Sequence, residues 1–188
     1  DLLKISEEEV RALRLEQIAL VPQGAMDSLN PVMSIKDQIR DGLLDHLTAI
    51  RGNNLETRVY ELLERVGLQK EVAGMYPHEL SGGMKQRVCL AIAISLNPKI
   101  IIADEPTSAL DVVVQRQIML ELGKMQKSMN LAILLVGHDM GLMAQFVDRI
   151  GVMYAGKLME IGPIDKVFKN PLHPYTRLPP LSGCSSVA

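Results

Sequence analysis

Apolar positions along this 188-residue chain follow two patterns, one typical of amphipathic helices and one typical of buried strands. The helical pattern predicts helices over residues 34–47, 55–66, 83–96 and 112–128. Continuous apolar runs predict strands in the segments IALVPQ, KIIIAD and LAILLVGHD. We expect KIIIAD to be buried on both faces and LAILLVGHD to be a second buried strand. Ser6 with Glu9 predicts a capping box that opens a short helix, and IGVMYAGKLMEIG predicts a hairpin that turns at residues 155–156.

The order of these elements predicts an α/β fold. Strands and helices alternate after residue 98, which favours a mostly parallel sheet with right-handed crossovers and helices on both faces. Residues 31–96 carry no strand signal, so we expect them to form a helical lobe inserted into that sheet. The tail from residue 171 is rich in proline and serine, and we expect it to be loosely held.

The composition narrows the class of protein. Hydrophobic residues make up 47% of the chain and aromatic residues 3%, which is typical of an aliphatic α/β interior. The 20 basic residues do not exceed the 22 acidic ones, so we expect no nucleic-acid partner. The apolar runs are too short to cross a bilayer. Cys89 and Cys184 have no metal-binding spacing and fit a reducing cytosolic setting.

Polar residues follow three of the predicted strands at the point where each strand ends. They are Gln23 after the first strand, Asp104 and Glu105 after the second, and His138 after the third. Because ligands bind beyond the carboxyl ends of parallel strands, these side chains are candidates for one site. An aspartate that holds hydrated Mg²⁺, next to a glutamate that orients or deprotonates a water, suits phosphoryl chemistry. The alternative from these residues alone is a pair of solvent-facing acids and a structural histidine.

A Ser-Gly-Gly corner, residues 81–83, stands directly before a predicted helix in the segment LSGGMKQR. Unpaired N–H groups at a helix N-terminus attract anions, and glycines let a phosphate approach the backbone closely. The simpler alternative is that Ser81 caps the helix and the glycines form a loop. The corner is therefore a candidate phosphate contact whose role depends on the rest of the chain.

The order of these motifs resembles the nucleotide-binding domain of ABC transporters over nearly the whole chain. Gln23, then LSGGMKQR, then IIIADEPTSALD, then an isolated His138 after a strand follow one another as they do in that family. The resemblance implies a partial P-loop NTPase fold of the ABC type. It also implies ATP and Mg²⁺ as cofactors and transport-coupled ATP hydrolysis as the activity.

The resemblance assigns a role to each matched residue. Glu105 is the catalytic glutamate, His138 is the switch histidine that senses the γ-phosphate, and Gln23 reaches the metal and the water. Asp104, together with Gln23, is associated with the magnesium ion. The residues expected to contact nucleotide are Ser81, Gly82, Gly83, Gln86 and Asp111. The corner is expected to bind the γ-phosphate of ATP held by an opposing subunit, and residues 108–111 to meet their twin across that dimer.

Two further segments, DSLNPVMSI and NPLHPYTRL, resemble the ATPases of bacterial and archaeal peptide and nickel importers. That likeness implies three partners: a second ATP-binding subunit, identical or related, transmembrane permease subunits and, indirectly, an extracytoplasmic solute-binding protein. It implies a peripheral location on the cytoplasmic face of the membrane. The alternative is an ABC-type ATPase of DNA repair or chromosome maintenance. The segment between Gln23 and the corner has neither the heptads nor the Cys-x-x-Cys of those proteins.

The chain departs from the family at one point, because it contains no G-x-x-x-x-G-K-[ST] phosphate loop. We therefore expect a truncated domain that is inactive by itself. Its expected parts are a remnant of the ATPase core with the glutamine loop (residues 1–30), a helical signature lobe (31–97), a core with the Asp-Glu strand and the switch histidine (98–162), and a C-terminal extension (163–188).

Overall fold

The computed structural model describes residues 4–44, 53–108 and 110–177. The chain divides into two compact units, Asp1–Val136 and Gly137–Ala188. The boundary lies inside the segment 98–162, and the four-part scheme expected from the sequence stays a prediction. No helix within the described residues has the length and apolar content to cross a membrane.

The helices and strands follow the predicted order. The first unit contains α1 (Glu7–Leu13), β1 (Ile18–Val21), α2 (Ile35–Leu44), α3 (Asn53–Arg65), α4 (Gly82–Ala93), β2 (Ile100–Asp104), α5 (Val112–Met129) and β3 (Ala132–Val136). The second unit contains α6 (Met140–Met143), β4 (Arg149–Tyr154), β5 (Lys157–Pro163) and α7 (Ile164–Lys169). Short 3-10 helices occur at Ala25–Ser28, Lys70–Gly74 and Pro77–Glu79. The last three residues of the helix predicted over 34–47 lie outside the described residues.

Local sequence signals fix several ends of these elements. The Ser6 hydroxyl accepts a hydrogen bond from the Glu9 N–H, and the Glu9 carboxylate accepts one from the Ser6 N–H, so the predicted capping box is confirmed. The predicted hairpin turn is also confirmed: Ala155 and Gly156 have φ values of 48° and 75°. Two residues with positive φ give a turn whose twist matches that of the flanking strands.

The strands β1, β2 and β3 form a parallel sheet in that order, which confirms the predicted α/β class. Val21 of β1 pairs with Ala103 of β2, and Ala103 pairs with Leu135 of β3. Because β1 and β2 are neighbours, the helices between them form an insertion. The described residues of 31–97 contain no strand, as the sequence predicts.

One face of the sheet is buried and the other is open. On the buried face Ile101 and Ala103 have no exposed surface, whereas Leu20 and Leu134 on the opposite face are 59% and 54% exposed. The expectations that β2 is buried on both faces and that β3 is a buried strand are therefore wrong for this chain. The apolar run alone does not show which face is covered, and within the described residues the second face keeps much of its side-chain surface exposed.

The helical lobe has its own apolar core. Helix α3 places one stripe in it, and all four side chains of that stripe are fully buried: Val59, Leu62, Leu63 and Val66. Helix α4 contacts α2 and α3 on the lobe side and β1 on the sheet side. It therefore joins the lobe to the sheet, and a residue at its start is held by both.

Helix α4 also approaches the segment at the start of α5 at two glycines. A methyl group added at Gly82 would lie 3.1 Å from a Leu110 methyl carbon, and one added at Gly83 would lie 2.7 Å from a Val114 methyl carbon. Carbon atoms in favourable contact lie about 3.5–4.0 Å apart, so there is no room for a side chain at residue 83. Close packing against residues 110–114 thus requires glycine at the start of α4.

The second unit is built on the antiparallel pair β4 and β5, and its core consists of Ile150, Val152 and Val167. The Glu160 carboxylate accepts hydrogen bonds from the N–H groups of Leu172 (3.0 Å) and His173 (3.1 Å), and these bonds lower the pKa of Glu160. Residues 171–177 are therefore held by β5, and the expectation of a loosely held tail is wrong for them. Residues 178–188 lie outside the described residues.

The two faces of the sheet predict different responses to the same polar substitution. Ile101→Thr puts a hydroxyl into the buried face, and we expect it to lower the free energy of unfolding by about 2–3 kcal/mol. Leu134→Thr lies on the open face and should lower it by less than about 1 kcal/mol. Denaturant unfolding of both variants measures the difference, and equal losses would mean that the second face is covered.

The contact between Gly83 and Val114 predicts that shortening Val114 offsets part of the stability lost when a side chain is added at residue 83. Gly83→Ala should force the stiff Val114 side chain to move. In a double-mutant cycle, we therefore expect the double variant with Val114→Ala to be about 1–2 kcal/mol more stable than the sum of the two single losses. Thermal unfolding of the wild type, both single variants and the double variant gives that energy. Additive effects would show that the two residues do not touch.

Candidate functional site

Two of the predicted site residues meet at the carboxyl edge of the parallel sheet. Gln23 follows β1, Glu105 follows β2, and the Gln23 Nε2 donates a hydrogen bond to the Glu105 Oε2 at 3.0 Å. The two residues are 82 positions apart in sequence, and they meet because β1 and β2 are neighbouring strands. The carboxylate thus has a defined amide partner at the edge where parallel sheets bind ligands.

The backbone of Glu105 is fixed as firmly as its side chain. Its N–H donates to the Val136 carbonyl oxygen at 2.9 Å, and its carbonyl oxygen accepts from both the N–H and the hydroxyl of Ser108, at 3.0 and 2.9 Å. Glu105 also has a φ of 45°, in the left-handed region that non-glycine residues rarely adopt. Such a conformation costs on the order of 1 kcal/mol or more and persists only where the surroundings impose it. Here those hydrogen bonds hold it.

Asp104 ends β2, next to Glu105, and is half-buried. Its carboxylate and the amide oxygen of Gln23 are hard oxygen ligands of the type that Mg²⁺ prefers. Among the described residues there is no group of three His, Cys, Asp or Glu side chains that could hold a metal ion. The residues present therefore fit a Mg²⁺ that takes its remaining ligands from phosphate and water oxygens, and they do not form a cage by themselves.

The Ser-Gly-Gly corner is the N-terminus of α4. Ser81 is its N-cap, and the Met84 N–H donates to the Ser81 hydroxyl at 3.3 Å. The simpler interpretation, that Ser81 caps the helix, is therefore correct, and it is compatible with a phosphate contact. Ser81 and Gly82 are exposed, so a phosphate has access to this helix end. The glycines have a second reason to be there, because Leu110 and Val114 pack on them.

The other two residues expected to contact nucleotide lie in different surroundings. Gln86 is only 2% exposed, and its Nε2 has no hydrogen-bond partner among the described residues. Its nucleotide role rests on the resemblance alone. Asp111 is exposed, and its carboxylate accepts a hydrogen bond from the Val114 N–H at 3.0 Å, so it is the N-cap of α5. Ala109, in the loop expected to meet its twin, lies outside the described residues.

His138 belongs to the second unit and is exposed. Its carbonyl oxygen accepts the Met140 N–H at 3.1 Å, and the neighbouring Asp139 caps the short helix α6 through the Leu142 N–H. The local turn therefore accounts for the hydrogen bonds made by the backbone of His138 and by Asp139. The role of the imidazole as a switch stays a prediction.

Cys89 connects α4 to the segment that follows Gln23. Its thiol is buried and donates to the Ala25 carbonyl oxygen at 3.3 Å. Burial raises the pKa of Cys89 to about 12. This cysteine is therefore a packing residue and a weak donor. Cys184 lies outside the described residues.

Sequence reasoning missed the residues that pack on the corner, Leu110 and Val114. The available signal was the pair of adjacent glycines at a helix start, since these also indicate the close approach of another segment. Phosphate binding accounts for the same glycines, so the sequence alone did not call for a second explanation.

Comparisons with known proteins give this geometry a family. The ABC transporter family matches residues 3–108, more than half of the chain. A peptide import ATP-binding protein of Brucella ovis is 48% identical over 178 residues, an alignment that covers 94% of this chain and 52% of the relative. One of Brucella abortus is 47% identical, with coverage of 94% and 53%. The chain thus spans about half the length of the curated relatives that it matches.

Solved structures agree with the family match. The dimeric, post-hydrolysis ATP-binding cassette MJ0796 bound to ADP and Pi has a TM-score of 0.74 and 28% identity, over 86% of this chain and 68% of that one. The cbiO1 subunit from Clostridium perfringens, part of the transporter complex cbiONQ, has a TM-score of 0.74 and 26% identity, over 88% and 64% of the two chains. On these grounds the chain belongs to the ABC transporter family.

Proposed function

We propose that this chain forms part of the ATP-hydrolysing, energy-coupling subunit of an importer of peptides or nickel. The observation that carries the proposal is the contact between Gln23 and Glu105, because it joins the amide and the carboxylate that the family pattern places next to the reacting water. A carboxylate held by an amide and by a fixed backbone is pre-oriented, as a general base must be.

In the proposed reaction each residue set supplies one element of phosphoryl transfer. Asp104 and Gln23 would hold Mg²⁺, which would neutralise charge on the nucleotide phosphates, and Glu105 would orient or deprotonate the attacking water. The N–H groups at the Ser-Gly-Gly corner stabilise the γ-phosphate of ATP held by a second subunit. His138 senses the γ-phosphate, while Gln86 and Asp111 belong to the neighbourhood of the nucleotide.

The names of the relatives support peptide import as the transport class. Both Brucella proteins are named as peptide import ATP-binding proteins, and they align with almost the whole chain. The alternative of DNA repair or chromosome maintenance is not favoured by any of these names. The choice between peptides and nickel belongs to the solute-binding partner.

The proposed partners follow from the composite site. A corner that serves the ATP of another subunit requires a dimer, and the related cassette MJ0796 is dimeric in its post-hydrolysis state. Transmembrane permease subunits would contact this subunit on the cytoplasmic face of the membrane, where it would lie as a peripheral protein. An extracytoplasmic solute-binding protein would act on it indirectly.

Replacing Glu105 by glutamine tests the catalytic assignment in a complete protein that contains this chain and a phosphate loop. We expect Glu105→Gln to lower steady-state ATP hydrolysis by a factor of about 10² or more, because an amide has the same shape but cannot act as a base. ATP binding should persist. Glu64→Gln, an exposed acid on α3, is the matched control and should keep wild-type turnover. Near-normal hydrolysis by Glu105→Gln would refute the assignment.

The 188-residue chain by itself should neither hydrolyse ATP nor bind it tightly. It contains no phosphate loop, so the backbone N–H groups and the lysine that hold the β- and γ-phosphates are missing from these residues. Isothermal calorimetry with MgATP and a phosphate-release assay, on material of verified mass, measure both quantities. A protein that includes the phosphate loop is the positive control. Stoichiometric tight binding or steady turnover by the 188 residues would contradict the prediction.

A further inference from the structure

Helices α4 and α5 share a second contact beyond the one at Gly83 and Val114. The Arg87 Nε and the Glu121 Oε2 lie 3.0 Å apart, and each side chain is only 14% exposed. Arg87 is four residues after Gly83, so it lies on the same face of α4. Glu121 is seven residues after Val114, two turns along α5. The two helices thus touch at two levels.

This ion pair is shielded from water, and each of its two charges is compensated by the other. Neither the Arg87 Nε nor the Glu121 Oε2 makes a well-directed hydrogen bond within the described residues, so charge attraction holds the pair. A methyl group added at Gly67, just after α3, would lie 3.3 Å from the other Glu121 oxygen, so the backbone there also closes over the carboxylate. Burial raises the pKa of Glu121, and the positive charges of Arg87 and Lys124 limit that rise. Removing one partner would leave the other charge buried and unpaired.

Two contacts at different levels fix both the distance between two helices and their relative direction, whereas one contact fixes only the distance. The contact between Gly83 and Val114 holds the start of α5 against the start of α4, and buried side chains such as Ile118 and Leu122 restrain α5 further along. The ion pair acts about 10 Å beyond Val114, at a rise of about 1.5 Å per residue, and adds a polar contact that fixes the direction of α5 relative to α4. The N-terminal ends of both helices are then fixed relative to each other. These ends carry the Ser-Gly-Gly corner and residues 110–111, which belong to the predicted loop 108–111.

We propose that Arg87 and Glu121 are positioning residues that lock the Ser-Gly-Gly corner to residues 110–111, so that the two segments move as one body. The consequence for activity rests on the function proposed above, in which the corner contacts nucleotide on another subunit, and on the family resemblance, which implies that residues 108–111 meet their twin across the dimer. A displacement of the corner by the γ-phosphate at one site would then shift the loop at the centre of the dimer. The ion pair would thereby couple the two ATP sites.

Two backbone amides report on the two segments separately. The Met84 N–H is bonded to the Ser81 hydroxyl in the corner, and the Val114 N–H is bonded to the Asp111 carboxylate that ends the loop. The cap slows the exchange of each amide hydrogen with water, and exchange becomes faster when the cap opens more often. If the segments are locked together, a change that frees one should free the other.

Native-state hydrogen exchange on the 188-residue chain tests the lock without requiring ATPase activity. Arg87→Ala should accelerate exchange of the Met84 and Val114 amides together, by about tenfold or more, while amides in the buried part of α3 keep their wild-type rates. The control is Arg40→Ala, which breaks the exposed ion pair with Asp37 and should change neither reporter. If Arg87→Ala does not fold, Glu121→Gln gives the same readout, since it removes the charge and keeps the shape.

The charge-swapped double variant Arg87→Glu/Glu121→Arg should return both exchange rates to within about threefold of wild type. Acceleration of only one reporter, of neither, or of all amides equally would overturn the proposal, as would failure of the swap to restore them. In a complete subunit, Arg87→Ala should also reduce the Hill coefficient of ATP hydrolysis towards 1, and the swap should restore it. A complete wild-type subunit without ATPase activity would refute the proposed function and leave the exchange result standing.

Discussion

The parallel pairing of β1 with β2 is the interaction on which the first unit depends. It runs from Ile18 opposite Ile100 to Val21 opposite Ala103, and it closes a loop of about 80 residues. Closing so long a loop costs conformational entropy that the lobe must offset by packing on its own core. Once the strands pair, Gln23 and Glu105 lie at one edge, and α4 is held between the lobe and the sheet.

Features that depend on neighbours in sequence could be predicted. The capping box at Ser6 and the turn at Ala155 follow from short-range backbone chemistry, and the structure contains both. The edge position of Gln23 and Glu105 was also predictable, because parallel strands end on the same side. The cap, the turn and the end of each strand are local features, and only the pairing of β1 with β2 brings Gln23 and Glu105 together.

Features that depend on what lies across a surface could not be predicted. The run KIIIAD is equally apolar on both faces, and nothing in it distinguishes the covered face of Ile101 from the open one. The positive φ of Glu105 arises from hydrogen bonds to β3 and to Ser108. Likewise, the tail appeared loose because its anchor, Glu160, lies 12 residues from Leu172 in the sequence.

The buried thiol of Cys89 has no catalytic role in the proposed reaction, but its reactivity can report on motion inside the first unit. With a pKa of about 12, only about one Cys89 in ten thousand is a thiolate at pH 8, so alkylating reagents meet an almost inert group. Its hydrogen bond to Ala25 spans the junction between α4 and the segment after Gln23. Any motion that separates the two would expose the sulfur to water and return its reactivity towards that of a free cysteine. The alkylation rate of this sulfur would therefore record how often the segment after Gln23 separates from α4.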